Sequence, residues 1–217
     1  MDTLNEYEAK QFLAGYGIPV SRETLVADAD GAVTAARDIG YPVVLKAAGA
    51  MLQHKTELGA IALNLRSEGD IQAEAERLLA IEGCESLLVQ EMVKGDRELV
   101  CGLTRDAQFG PCVMFGLGGI FTELLGDVVF RVAPLTMSDA EAMLEEIHAA
   151  KMLKAFRGQS PVDREALARI VVTLGKIGTE CGLVQEIDMN PVKIRLDGSP
   201  VAVDALVGFR RPTPDGI

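Results

Sequence analysis

The 217-residue sequence contains no tryptophan, and only 5% of its residues are aromatic. A core built from it must be aliphatic, filled by Val, Leu, Ile, Ala and Met. Its four cysteines, Cys84, Cys101, Cys112 and Cys181, show no CxxC spacing, which excludes a zinc ribbon or a thioredoxin-like pair. With 48% hydrophobic residues the chain can bury a core without staples, so reduced thiols are expected rather than a disulfide framework. Basic residues are also scarce: 21 Lys and Arg stand against 32 Asp and Glu, a formal net charge of −11. Neutralising a phosphate backbone takes a surplus of Lys and Arg, so a nucleic-acid partner is not expected. No apolar run approaches the roughly 20 residues of a membrane span. The polar, acidic start Met1-Asp2-Thr3-Leu4-Asn5-Glu6 does not read as a signal peptide. A cytoplasmic protein is expected.

Periodicity and punctuation organise what is present. Asn5 to Ala14 reads as a helix with Tyr7, Phe12 and Leu13 towards the core, stopped by Gly15 and Gly17. A helix from Ala29 to Ile39 is closed by Gly40. Pro42 to Lys46 is a strand ending in a charge, and after a loop from Gly49 to Gly59 a second strand covers Ala60 to Leu65. A helix over Asp70–Leu79 follows, then strands over Ser86–Val93 and Arg97–Thr104, a turn at Asp106–Gly110 and a buried strand over Cys112–Phe115. Ser138 with Glu141 matches a capping box, and a long helix spans Asp163–Cys181. The chain then folds into a hairpin, Glu186–Ile194 and Val201–Leu206 about Leu196-Asp197-Gly198-Ser199, and ends in a tail. Helices and antiparallel pairs are mixed throughout, which predicts an α+β fold rather than a doubly wound parallel sheet.

Five segments carry residues with chemical potential. In Glu186-Ile187-Asp188-Met189-Asn190-Pro191, strand alternation puts Glu186, Asp188 and Asn190 on one face, and Asp204 can lie opposite them across the turn. Such oxygen donors suit Mg²⁺, though a polar edge hairpin has the same pattern. The run Phe115-Gly116-Leu117-Gly118-Gly119-Ile120-Phe121-Thr122-Glu123 could bring backbone N–H groups to a phosphate or could be a structural bend; it is neither a P-loop nor a full GxGxxG. Lys46 could reach a phosphate or snorkel to the surface. Gln90 to Val93 could meet an adenine edge or be a connector. Of the two histidines, His148 reads as a solvated bystander, whereas His54 stands in a polar loop.

Taken in order, these segments resemble the ATP-grasp domain of the nucleoside-diphosphate-forming acyl-CoA synthetases, the superfamily that includes succinyl-CoA synthetase. The resemblance runs from Leu4-Asn5-Glu6-Tyr7-Glu8-Ala9-Lys10 through Tyr16-Gly17-Ile18-Pro19 to Asp204. It implies two α+β subdomains, one of about residues 20–102, the other of about 103–208 with the helix in 1–19, with nucleotide in the cleft between them and a tail at 209–217. By the same resemblance Lys46 holds nucleotide phosphates, Glu91, Met92 and Val93 form the hinge that receives adenine, and Glu98 contacts the nucleotide. Asn190 and Asp204 bind Mg²⁺, with Asp188 as a further ligand. His54 matches a phosphorylatable relay residue, with Gly49 and Gly59 as hinges of its loop, and Gly116, Gly118, Gly119 and Glu123 match a glycine-rich motif of the family. Where relatives carry a Ser-Pro-Asp-Ile type run before the His-Lys pair, this chain has Ala48-Gly49-Ala50-Met51, and Gly59 is followed by Ala60 rather than a second glycine. The implied reaction is acyl-CoA + ADP + phosphate ⇌ acid + ATP + CoA, completed by a CoA-binding alpha subunit or fused domain, for instance in an α2β2 assembly. A carboxylate–amine ligase of the same fold and a regulatory nucleotide-binding module are the alternative readings.

Overall fold

A computed structural model describes residues 1–49, 59–118, 126–155 and 158–210. Two compact units emerge: Ser21–Val93 forms the smaller, and the segments on either side of it form the larger.

The smaller unit is a four-stranded antiparallel sheet backed by two helices. Its strand order is β2 (Glu23–Val26), β5 (Ser86–Glu91), β3 (Val43–Ala48) and β4 (Ile61–Leu65). Helix α2 (Ala29–Ile39) starts at Asp28, whose side chain accepts from Gly31 N, and stops at Gly40, where φ of +95° suits glycine. Helix α3 (Glu68–Leu79) begins with a Ser67/Asp70 capping box. Leu45 and Ala47 of β3 and Leu87 and Val89 of β5 enter one core with Ala36, Ile71 and Leu78 of the helices. Alternation then turns Val44, Lys46, Leu88 and Gln90 to the opposite face.

The larger unit is built on a seven-stranded antiparallel sheet. Its main path runs β1 (Asp2–Thr3), β11 (Leu206–Phe209), β9 (Val184–Ile194), β6 (Arg97–Asp106), β7 (Gly110–Leu117) and β8 (Val128–Val132), with β10 (Pro200–Ala202) also paired to β9. Helices α1 (Glu6–Gly15), α4 (Met137–Glu146) and α5 (Arg164–Glu180) pack on one face through Leu13, Met143, Leu144 and Leu174 against Leu99, Cys101, Phe115 and Ile187. Burying such a side chain contributes about 1.5–3 kcal/mol. The capping box of α1 is reciprocal, with Glu8 N to Asn5 at 2.9 Å and Asn5 N to Glu8 at 3.1 Å. No helix among the described residues is long and apolar enough to cross a membrane.

Several expectations are corrected. The unit boundary falls at Val93/Lys94 rather than near 102, because β6 pairs with β7 and β9 along its length and so belongs to the larger sheet from Arg97 onwards. Thr136 and Asp139, not Ser138 and Glu141, cap α4: the Thr136 side chain accepts from Asp139 N and the Asp139 carboxylate from Thr136 N. In α1 the buried residues are Glu6, Ala9, Lys10 and Leu13, while Tyr7 and Phe12 are half-buried, so the inward face is turned from the expected one. The second arm of the terminal hairpin is two short strands, β10 and β11, separated at Val203–Ala205. Phe209 closes β11 opposite Val184, with its ring edge-on to Phe12, and is therefore part of the fold rather than of a tail. Strands β2, β8 and β11 are short and carry weak alternation, which is why periodicity alone missed them.

Candidate metal and nucleotide site

Strand β9 carries the oxygen-bearing row, and a bulge fixes where it points. Ile187 and Met189 face the helices, but so do Val192 and Ile194, so the inward positions change from odd to even numbers. The ladder to β6 accommodates this by pairing Cys101 with Met189 and Leu99 with Val192, which inserts an extra residue at Asn190-Pro191. A proline is tolerated there because the bulge relieves it of a ladder hydrogen bond. Up to the bulge, Glu186, Asp188 and Asn190 all stand on the face away from the helices, as alternation predicts.

Asp204 meets this row by register. Ala202 of β10 pairs with Val192, and Leu206 of β11 pairs with Asp188. The same count places Asp204, in the link between those strands, across from Asn190. Its Oδ1 accepts from Ala205 N at 2.8 Å. The carboxylates feel one another: the Asp188 pKa is raised above its ordinary value, first by partial burial and then by the negative charges of Asp204 and Glu186. A divalent cation placed there would relieve that repulsion. Among the described residues no three His, Cys, Asp or Glu side chains close into a metal cage on their own. Mg²⁺ does not need one, since it takes one or two carboxylates with other oxygens supplied by a phosphate and water. Two aspartates and an asparagine on one face fit that chemistry.

Beside the row the sheet opens into a groove of about 360 Å³ lined by Val100, Gly102, Met114, Phe130, Asp188 and Asn190. Gly102 pairs with both Asp188 and Met114, and Met114 with Phe130, so one line of residues runs from carboxylate to half-exposed ring. A Cβ on Gly102 would come within 2.9 Å of Ile187 O and 3.3 Å of Met114 Cε. The groove is thus acidic at one end and apolar at the other. Glu98 is half-buried on β6, and its carboxylate lies 3.2 Å from Lys193 Nζ, the residue opposite it on β9.

The glycine-rich run begins as packing. Gly116 sits where a Cβ would strike Asp127 O and Val128, and a Cβ on Gly118 would lie 2.5 Å from Leu99 O. Gly118 N donates to Glu98 O at 2.9 Å. Gly119 and Glu123 lie outside the described residues, as does His54. Gly49, expected as a hinge beside His54, is pressed against Gly83, where a Cβ would strike Gly83 O. His148 has its side chain 97% exposed, with Nδ1 3.1 Å from Asp127 Oδ1.

In the smaller unit, Lys46 does not end its strand. β3 continues through Ala47 and Ala48, and Lys46 is 6% exposed, paired in register with Leu88 and Ile61. The snorkelling alternative therefore fails for it. Glu91 closes β5, and its Oε1 accepts from Arg22 N at 2.8 Å, so its side chain organises the start of β2. Glu91 N and Met92 N already donate to Arg22 O and Pro42 O, while the buried Val93 ends the unit.

Sequence reasoning overlooked Lys10 and Glu6. Both are buried on α1, with Lys10 Nζ 3.0 Å from Glu6 Oε1. Their i,i+4 spacing was the available signal, but charge on a helix beside apolar residues reads as a solvated face.

Comparison with known proteins shows the family of this chain. The ATP-grasp domain family matches residues 1–208. The beta subunit of an ADP-forming acetate–CoA ligase I from Pyrococcus furiosus is 40% identical over 209 residues, covering 93% of this chain and 90% of the relative. An ADP-forming acetate–CoA ligase I from Archaeoglobus fulgidus is also 40% identical, over 94% of this chain, but the match spans only 30% of that longer protein. Among solved structures, a dinucleotide-forming acetyl-coenzyme A synthetase 1 from Ca. Korarchaeum cryptofilum, in complex with coenzyme A and Ca-AMPCP, superposes with a TM-score of 0.91 at 43% identity, covering 96% of this chain and 93% of the other. Another structure of that protein holds Mg-AMPPCP, with its phosphohistidine segment pointing towards the nucleotide binding site. This chain belongs to the ATP-grasp family, within the branch of the ADP-forming acyl-CoA synthetases.

Proposed function

We propose that this chain is the nucleotide-binding part of an ADP-forming acyl-CoA synthetase and carries out phosphoryl transfer between a phosphohistidine and ADP. The observation that carries the reading is the oxygen row on the open face of β9, with Asp204 placed by register across from Asn190. In this reading Asn190 and Asp204 hold Mg²⁺, with Asp188 beside them. Bound there, Mg²⁺ supplies charge neutralisation for the transferring phosphoryl group. Lys46 adds a desolvated positive charge directed at phosphate oxygens. Because Glu91 N and Met92 N are already engaged, the amide of Val93 is the donor assigned to the adenine edge. Glu98 reaches the nucleotide from its pair with Lys193.

The rest of the reaction belongs to a CoA-binding alpha subunit or fused domain. That the P. furiosus relative is named a beta subunit, and that the A. fulgidus relative is more than three times as long as the match, supports such a partner. An α2β2 assembly in the cytoplasm completes the proposal. Identities of about 40% to ADP-forming acetate–CoA ligases favour this over a carboxylate–amine ligase or a regulatory module.

His54 is proposed as a relay. A ring nitrogen near neutral pKa can accept a phosphoryl group and release it again. The test mixes the chain with its partner, Mg²⁺ and γ-labelled ATP. The expected result is acid-labile, alkali-stable label on this chain that His54→Asn abolishes together with turnover, while nucleotide still binds. Wild-type turnover by His54→Asn would mean that the phosphohistidine segment of the partner delivers to ADP directly.

A further inference from the structure

The buried ion pair of α1 has no part in the reaction as proposed, yet it touches the backbone that carries a proposed metal ligand. Lys10 is wholly buried, and its Nζ lies 3.0 Å from Glu6 Oε1 and 3.4 Å from Val203 O. Exposed pairs at this spacing stabilise a helix only slightly. Burying an ammonium and a carboxylate carries a desolvation cost that their attraction must first offset, and a well-packed apolar pair is often as stable or more so. Stability of α1 therefore does not account for the pair.

Its directed hydrogen bond does. Val203 immediately precedes Asp204, and both of its backbone polar groups are held: its carbonyl accepts from Lys10, and its N–H donates to Pro191 O at 3.2 Å. Pro191 in turn follows Asn190 in the β9 bulge. The preceding residue is fastened as well, since Ala202 N donates to Pro19 O at 2.9 Å. Val203–Ala205 lies between β10 and β11, with no ladder assignment of its own, so these bonds replace the sheet in fixing it. We infer that Lys10, neutralised by Glu6, is a positioning residue for the metal site: it locks the Val203 carbonyl and so aims the Asp204 carboxylate at the cation across from Asn190. The inference rests on the reading of Asp204 and Asn190 as metal ligands.

The test uses the full-length chain with Mn²⁺ as the probe, its binding followed by electron paramagnetic resonance in the presence of ADP. The double variant Glu6→Gln/Lys10→Met removes both charges and the donor, leaving no uncompensated buried ion. It is expected to bind Mn²⁺ about 10-fold more weakly, the lower range for losing a group that orients a metal ligand. Its affinity for ADP in chelator should be unchanged. Wild-type Mn²⁺ affinity in the folded double variant would overturn the inference. Should that variant fail to fold, the ¹⁵N resonance of Lys10 Nζ in the wild-type chain decides: it is expected to shift with the midpoint of Mg²⁺ binding, and an unmoved resonance would overturn the inference. Asp204→Asn in the same assay separates the two levels. If Asp204→Asn keeps wild-type Mn²⁺ affinity, the metal-site reading itself fails; if it weakens binding and the double variant does not, only the role of Lys10 fails.

Discussion

The two units hold their proposed site residues under opposite conditions. In the larger unit Asp188 and Asn190 stand on an open sheet face, accessible to solvent and to a cation. In the smaller unit Lys46 is enclosed on a strand whose residues are nearly all buried. A carboxylate site for a labile hydrated metal needs access, because Mg²⁺ retains several waters and exchanges them. A lysine that contacts phosphate gains from the reverse: low dielectric strengthens its pull on the phosphoryl oxygens and weakens competition from water. On the proposed roles, burial separates the lysine that would stabilise charge from the row that would collect a cation, although the sequence shows only polar residues in strands.

Breaking the buried side of that contrast has the larger effect. Lys46→Ala in the reconstituted complex is expected to lower phosphoryl transfer by about 10²-fold, the scale of losing one preorganised electrostatic contact. Steady-state kinetics with ADP and acyl-CoA measure it, and normal kinetics would reduce Lys46 to a packing residue. A substitution at the glycine-rich run separates fold from chemistry. Gly118→Ala drives a methyl group into the Leu99 backbone and is expected to cost about 1–3 kcal/mol, in line with other overpacked sites. Denaturant unfolding would show this as a lower midpoint; an unchanged midpoint would mean that the close approach relaxes at no cost.

The smallest effect sharpens the open side. Asp188 has a folded-state pKa raised by burial, Asp204 and Glu186. Its ionised form therefore opposes folding at neutral pH, and that penalty fades as pH falls through the raised pKa towards the ordinary value of 3.8. Asp188→Asn should accordingly raise the melting temperature of the metal-free chain at pH 7, with a gain that shrinks on acidification. Saturating Mg²⁺ should erase the gain, because the wild-type carboxylate then has its cation. A gain that grows as pH falls would contradict the repulsion argued here.

Much of this arrangement was legible before the fold. Period-two alternation placed Glu186, Asp188 and Asn190 on one face, and the helix starts read at Asn5, Ala29 and Asp163 fall within one residue of the observed Glu6, Ala29 and Arg164. Alternation could not show the change of inward positions at Asn190-Pro191, because a bulge is a property of the pairing between strands and not of one strand. The burial of Lys46 was likewise hidden: Ala47 and Ala48 are too small and too neutral in propensity to announce that β3 continues. The Thr136 cap was missed in favour of Ser138 because two hydroxyl residues two apart, each followed three residues later by an acid, offer equivalent local patterns. Lys10 and Glu6 were unreadable for a related reason, since nothing local distinguishes an i,i+4 pair facing water from one facing the interior.

On the proposed function, Asn190 and Asp204 together hold the cation that brings nucleotide to this chain. Calorimetric titration of ADP with and without Mg²⁺, in wild type, Asp204→Asn and Asn190→Ala, tests it most directly. The expected result is that Mg²⁺ strengthens ADP binding in the wild type and that each substitution removes about 10-fold or more of that gain, while binding in chelator and the folded state are preserved. Wild-type Mg·ADP affinity in both variants would contradict the account.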